Sequence, residues 1–400
     1  MAVTSVLSAY ATARSSRSWP RDRIERHQQT LWRQMPLDDY PALKAFAGQK
    51  LSDLPIVDVA DYRARFTDFN RHGLTIETAR AAAQAAEAGH PGELPDGLRA
   101  GFSTGTSGTQ RGVFVTSPQE RSTYMGSLLG KLMSPADLLT TQRVALCLRA
   151  GNDLYRPAIG PRVGFFPLTL GHGPLVDAIA TFKPRVLIAP PQVLLSLAEA
   201  GKPAGCRRIF YGAETLNDTE RAFITERLGA RPDPIYQATE GFLGAPCRLG
   251  TLHLNEDSLI IERDDLGGGT FRPIVTDLLR RTQAVVRLRL DDVLWETRCA
   301  CGSRHAAVKP VCGRVQDAWT VDGRTTVWPD GIENHVAPHI APSRRWIATQ
   351  YHDRVTVACP DAKDAATIRE RLNYFSVRTV EVPYDPVLDF PKRRHVRRVS

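Results

Sequence analysis

The residues most able to do chemistry form a short glycine- and hydroxyl-rich run, Ser103-Thr104-Gly105-Thr106-Ser107-Gly108-Thr109-Gln110-Arg111-Gly112. Its three glycines let the main chain approach a ligand closely, and its five hydroxyls add donors that a polyphosphate accepts. No Gly-Lys-Ser/Thr ending follows, so a P-loop kinase is disfavoured. The plain alternative is a Ser/Gly linker. A second group, Cys247, His253, Cys299 and Cys301, has the ligand types of a tetrahedral zinc site that would tie two strand pairs together. Its alternative is cysteines packed in a β region, with His253 an ordinary buried histidine.

The elements that must position these groups change character along the chain. Residues 76–88 read as an Ala-rich helix ending near Gly89. From 101 to 241 strands alternate with helices: an apolar strand at 185–189, a helix at 192–200 stopping at Gly201, and a strand at 208–211. Asn217 with Glu220 three positions on is a capping box, Gly229 ends that helix, and Pro234 to Tyr236 begins a third strand. Such alternation predicts an α/β fold with a mainly parallel sheet. From 259 to 294 strands follow one another without helices, predicting a β-rich subdomain. Turn signals, short strands and one helix at 362–372 then predict a small α+β unit. The expected division is a large domain, 1–317, and a small C-terminal domain, 318–400.

The loop resembles the signature of the adenylate-forming superfamily, which includes acyl-CoA synthetases, firefly luciferase and peptide-synthetase adenylation domains. Further pieces occur in the family's order, and together they cover about half the chain. Gly212-Ala213-Glu214 resembles the segment lying along adenine. Tyr236-Gln237-Ala238-Thr239-Glu240-Gly241 resembles a motif whose tyrosine stacks on adenine, whose threonine meets the α-phosphate and whose glutamate holds magnesium. Asp292 ends a stretch that resembles the ribose-binding strand, and Arg314 lies in a stretch resembling the hinge motif, whose arginine also contacts ribose. Gln237, Gln316 and Leu290-Asp291 depart from the family pattern. Near the end, Lys392 resembles the lid lysine that bridges substrate carboxylate and α-phosphate, with Phe390-Pro391 in place of Ser-Gly.

The cysteine and histidine stretch, with the chain's shortness, is similar to the phenylacetate–CoA ligase and coenzyme-F synthetase branch. Relatives of similar pattern include hydroxybenzoate–carrier-protein ligases of aryl-polyene and xanthomonadin pigment pathways. The resemblance implies an α/β domain carrying ATP and acid, a mobile lid, and two cofactors, ATP and Mg2+, with structural Zn2+ as a candidate third. It implies activation of a small aryl carboxylic acid, such as hydroxybenzoate, and transfer to the phosphopantetheine thiol of an acyl carrier protein or CoA. Phe165, Phe166 and Tyr211, near strand ends, are candidate walls of the aryl pocket.

Bulk properties agree with this expectation. The 400 residues are 42% hydrophobic, enough for sizeable cores, and the net charge of +9 favours an anionic partner. Seven scattered cysteines suggest a reducing compartment, and no stretch approaches the ~18 apolar residues of a spanning helix. A cytoplasmic enzyme is expected, with a homodimer as candidate assembly. Two rivals stand: an adenylyltransferase that stops at nucleotidyl transfer, and a basic zinc-containing nucleic-acid-binding protein. Clustered Lys/Arg with interleaved aromatics is missing outside the tail, which counts against the second.

Overall fold

The chain is described from a computed structural model covering residues 2–90, 92, 94–102, 111–139, 143–148, 163–201, 205–352, 354–385 and 395–399. Among these residues the fold is mixed α/β. Apolar runs too short for helices become the strands of a parallel sheet, in the order Val163–Pro167, Val144–Leu148, Val186–Ala189, Arg208–Tyr211 and Pro232–Pro234. Helices His172–Phe182, Pro191–Glu199 and Asp218–Leu228 are the connections that parallel strands require. Their shared core holds Ile179, Leu187, Leu194, Ile209 and Ile224, all 1% exposed or less.

The Asn217/Glu220 capping box forms with both of its hydrogen bonds, and Gly229 closes that helix in the left-handed conformation at φ 73°. The strand expected from Pro234 to Tyr236 divides instead. Pro232–Pro234 stays in the parallel sheet, whereas Tyr236–Ala238 crosses to an antiparallel sheet with Gly241–Pro246, Leu252–Leu254 and Ala307–Val308. Ile235 N–H bonds the Tyr211 carbonyl at the switch, so the apolar run is continuous but its pairing is not. A third sheet places Val57–Asp58 beside Leu288–Arg289, then Thr270–Asp277 and Leu259–Gly267, with Leu294–Trp295 on Thr270–Asp277. Within the β-rich stretch the apolar run 286–290 pairs only at Leu288–Arg289, because Arg287 takes a positive φ of 45°.

The N-terminal helix Ala2–Ser16 lies along Pro118–Leu132. Their approach is close because Gly126 and Gly130 carry no side chain: a Cβ there would meet the Val6 carbonyl oxygen at 2.3 Å and that of Tyr10 at 2.6 Å. Past Asp317, the strands Thr379–Val382, Val355–Ala358, Ile347–Gln350 and Val396–Arg398 make a separate sheet under helices Pro329–Val336 and Ala362–Leu372. Trp319, Ile332, Trp346 and Ile368 fill its core. No described helix is long and apolar enough to cross a membrane.

Candidate active site

One cavity of about 1030 Å3 opens where the parallel sheet, the antiparallel sheet and the C-terminal unit meet. Gly212, Ala213, Glu214, Tyr236, Gln237, Thr239, Glu240, Asp292 and Arg314 all line it. These residues come from four separate segments, so the fold brings together what the sequence only orders. Ala213, in the turn after Arg208–Tyr211, sits at φ 73° without being glycine. Such left-handed backbone costs about 1–3 kcal/mol and clusters at ligand sites.

One part of the cavity is organised around a single carboxylate. Tyr236 Oη donates to Asp292 Oδ2 at 2.9 Å, and Arg314 Nε stands 3.5 Å from Oδ1. A β-bridge between Asp292 and Arg314 fixes the two backbones, with Val315 N–H on the Asp291 carbonyl at 2.9 Å. Burial, then the Asp292 charge, hold the Tyr236 phenol well above its ordinary pKa, so it remains a donor.

Glu240 lies half-buried in the same cavity. Burial raises its pKa, the Asp292 charge adds to the rise, and Arg280 and Arg63 oppose it. Among the described residues no ion pair holds its carboxylate. A carboxylate desolvated in a nucleotide-sized cavity without an ion-pair partner fits a hard divalent cation such as Mg2+.

The glycine- and hydroxyl-rich run connects Arg99–Phe102 to Val113–Thr116, an antiparallel ribbon at the cavity edge. Ser103, Thr104, Gly105, Thr106, Ser107 and Gly108 themselves lie outside the described residues, as does Lys392. Arg111, near the end of the run, is held by Glu87 through two bonds of 2.8 and 2.6 Å and stacks on Phe102 at 4.2 Å.

Part of the cavity wall is apolar and aromatic, lined by Tyr124, Ile188, Tyr211 and Phe242, with Tyr124 edge-on to Phe242 at 6.1 Å. Of the three expected wall residues only Tyr211 is there. Phe165 and Phe166 do not line the cavity, and Phe166 packs on Phe182 at 5.3 Å beneath helix His172–Phe182. Tyr124 and Phe242 carried no motif signal. Arg280, whose guanidinium bonds the Thr239 carbonyl at 2.9 Å, was also missed.

Away from the cavity, Cys247, His253, Cys299 and Cys301 bring their ligand atoms within 4.8 Å of one another. Cys247 Sγ is 3.6 Å from Cys299 Sγ, and Cys301 Sγ is 3.4 Å from His253 Nε2. These are near the ~3.5–3.8 Å edges of a tetrahedron with metal–ligand bonds of about 2.0–2.3 Å. His253 Nδ1 bonds the His305 carbonyl at 2.9 Å, leaving Nε2 to face the thiols. Backbone N–H groups of Leu249 and Ser303 donate to the Cys247 and Cys301 sulfurs. The donor set fits one closed tetrahedral metal. Cys147 and Cys206 are buried in the core, and Cys359 is half-buried.

No family model matches the chain. A phenylacetate–coenzyme A ligase of Thermus thermophilus is 24% identical over 249 residues, 56% of this chain and 54% of that protein. The match therefore spans about half the length of this curated relative. Among solved structures, 2-hydroxyisobutyryl-CoA ligase in its postadenylation state aligns over 96% of this chain and 91% of its own, with a TM-score of 0.67 and 15% identity. The same ligase in its thioesterification state gives 0.54. An anthranilate CoA ligase bound to anthranoyl-AMP gives 0.53, covering 78% of this chain and 68% of its own at 12% identity. The chain thus shares the fold of these solved CoA ligases and is similar in sequence to a phenylacetate–CoA ligase over about half its length.

Proposed function

We propose that the chain activates a small carboxylic acid with ATP and transfers the acyl group to a thiol. The observation that carries this reading is the convergence of Tyr236, Thr239, Glu240, Asp292 and Arg314 on one cavity large enough for a nucleotide and a small acid together. A carboxylate is a poor electrophile. Its oxygen attacks the α-phosphorus of ATP, the bond to the bridging oxygen breaks, and pyrophosphate leaves with the electron pair. A phosphopantetheine thiol, of an acyl carrier protein or CoA, then attacks the acyl carbon and expels AMP. Asp292 and Arg314 would hold the ribose and Tyr236 the adenine, which fixes the α-phosphate relative to Thr239. Magnesium at Glu240 would neutralise charge on the phosphates.

Residues 318–400 would act as the lid, bringing Lys392 to the developing charge during the first half-reaction. The apolar wall at Tyr124, Tyr211 and Phe242 favours an aryl acid such as a hydroxybenzoate, since aromatic rings pack edge-on at such walls. The four-ligand cluster would hold structural zinc. ATP–pyrophosphate exchange across a panel of aryl and aliphatic acids tests the reading. The expected result is acid-dependent exchange, strongest with a substituted benzoate and reduced at least about a hundredfold by Glu240→Gln. Failure of every acid to support exchange would refute it, and exchange without thioester formation in the presence of CoA or a carrier protein would favour the adenylyltransferase.

A further inference from the structure

The described residues bearing on the phosphate end of the cavity include one cation that no motif assigns. Arg280 follows Thr270–Asp277 in a tight turn, in which Asp277 Oδ1 accepts the backbone N–H groups of Leu279 and Arg280 at 2.9 and 3.2 Å. That turn throws the guanidinium back under Thr239, where Nη1 donates to the carbonyl oxygen at 2.9 Å. Arg280 is 8% exposed, and its Nη2 is buried with no hydrogen-bond partner among the described residues. A buried donor left unmade costs roughly 1–3 kcal/mol, and more when charged, so it marks a place where a partner belongs.

The surroundings identify the partner's charge. Beneath Thr239 and Glu240 a void of about 20 Å3, room for a single water, is lined by Arg63, Gly112 and Arg280 among others. Gly112 ends the glycine- and hydroxyl-rich run, and a Cβ there would stand 3.1 Å from Thr239 Oγ1 and 3.4 Å from an Arg63 nitrogen. The run therefore comes back to the body of the protein against Thr239, Arg63 and Arg280. Among the residues lining the void Glu240 is the one carboxylate, against Arg63 and Arg280, and burial raises its pKa. Arg111, the next cation, is already paired with Glu87. A divalent cation at Glu240 would leave this corner with a positive excess that only an anionic ligand balances.

We propose that Arg280, seconded by Arg63, recognises the β- and γ-phosphates of ATP and holds them as pyrophosphate when the bond to the α-phosphorus breaks. The inference rests on the adenylation reading. It adds a cation for the leaving group, contributed by the body of the protein and independent of the lid. Arg280 transfers no proton. It acts by charge-assisted hydrogen bonding to phosphate oxygens, with Nη2 as the donor gained.

Calorimetric titration of the full chain with AMP, with magnesium-ATP and with magnesium pyrophosphate tests this without knowledge of the acid. Arg280→Met should weaken ATP and pyrophosphate about ten- to a hundredfold while leaving AMP within about twofold. Arg280→Lys, which keeps the charge and loses the fork, should recover part of the loss. Arg63→Met, at a less buried position, should weaken pyrophosphate in the same direction and covers the case in which Arg280→Met fails to fold. Pyrophosphate and ATP binding unchanged in the folded variants would overturn the inference, as would a parallel loss of AMP, which would make Arg280 a support for the Thr239 turn. A wild-type chain that binds pyrophosphate but neither AMP nor ATP would instead sink the adenylation reading.

Discussion

Tyr236 and Asp292, 56 positions apart in the chain, meet through a 2.9 Å hydrogen bond between phenol and carboxylate. The bond joins the residue expected at adenine to the residue expected at ribose before any nucleotide arrives. Its donor cannot ionise in the working range, because burial and the Asp292 charge hold the phenol well above its usual value. Hydrogen bonds to charged groups contribute about 1.5–3 kcal/mol, so Tyr236→Phe should weaken AMP roughly tenfold or more while keeping the ring. Calorimetric titration with AMP measures this. Wild-type affinity in Tyr236→Phe would show that the pair does not organise the nucleoside site.

A second expectation concerns stability. Lys131 Nζ lies 2.6 Å from Asp257 Oδ1 and 3.1 Å from Ser16 Oγ, with both charged side chains about 5% exposed or less. Burial lowers the Lys131 pKa against the pull of Asp257, whereas Lys131 and His305 overcome burial to lower that of Asp257. Removing one partner strands a buried charge, so Lys131→Met should cost about 3–5 kcal/mol, read as a fall in denaturant midpoint. Adding Asp257→Leu should restore part of that loss. A double variant weaker than the single by the full cost of a second deletion would contradict the account.

What could be read beforehand was whatever is local. The Asn217/Glu220 box needs only four consecutive residues, and the helix Ala362–Leu372 only its own periodicity. Tyr236, Asp292 and Arg314, which share one cavity, could be singled out only because their short stretches follow the order of the family they resemble. Arg280 was not, since its role depends on the Asp277 turn and on Thr239, 41 positions away. The Lys131–Asp257 pair spans 126 positions and has no local signature. Phe165 and Phe166 show a different limit. Adjacent strand residues point to opposite faces, so both could not have faced one cavity.

Acid sensitivity should pass through Glu120. Its carboxylate caps helix Pro118–Leu132 and reaches across to accept the Arg281 and Thr282 N–H groups and the Thr282 hydroxyl. Burial would raise its pKa, but these donors with Ser117 N–H outweigh burial and lower it from 4.5. A carboxyl depressed in the folded state stabilises above its unfolded pKa, and that stabilisation disappears as pH falls through the folded value. Glu120→Gln should therefore be less stable at neutral pH and lose part of the pH dependence below about 4.5, seen in melting temperatures from pH 3 to 7. Parallel wild-type and variant curves would remove Glu120 from the acid response.

The last prediction concerns the metal. At Cys299 burial raises the thiol pKa, but hydrogen bonds with Thr251, His253 and Cys301 draw it down to about 6, so one thiolate is ready near neutrality. The cluster joins the Gly241–Pro246 and Leu252–Leu254 hairpin to the loop before Ala307–Val308, two segments some 50 residues apart. Because a structural metal binds the folded chain and not the unfolded one, its binding free energy becomes folding free energy. Wild-type protein purified without chelator should contain one zinc per chain. Cys299→Ser/Cys301→Ser should lose the metal and a large part of its thermal stability together, and wild-type protein should release zinc more readily as pH falls and protons compete for the sulfurs. Adenylation should survive at temperatures where the variant is folded, since none of Cys247, His253, Cys299 and Cys301 lines the cavity. Elemental analysis showing no stoichiometric metal in the wild-type chain would dismiss the site, and metal loss without change in melting temperature would deny it a structural role.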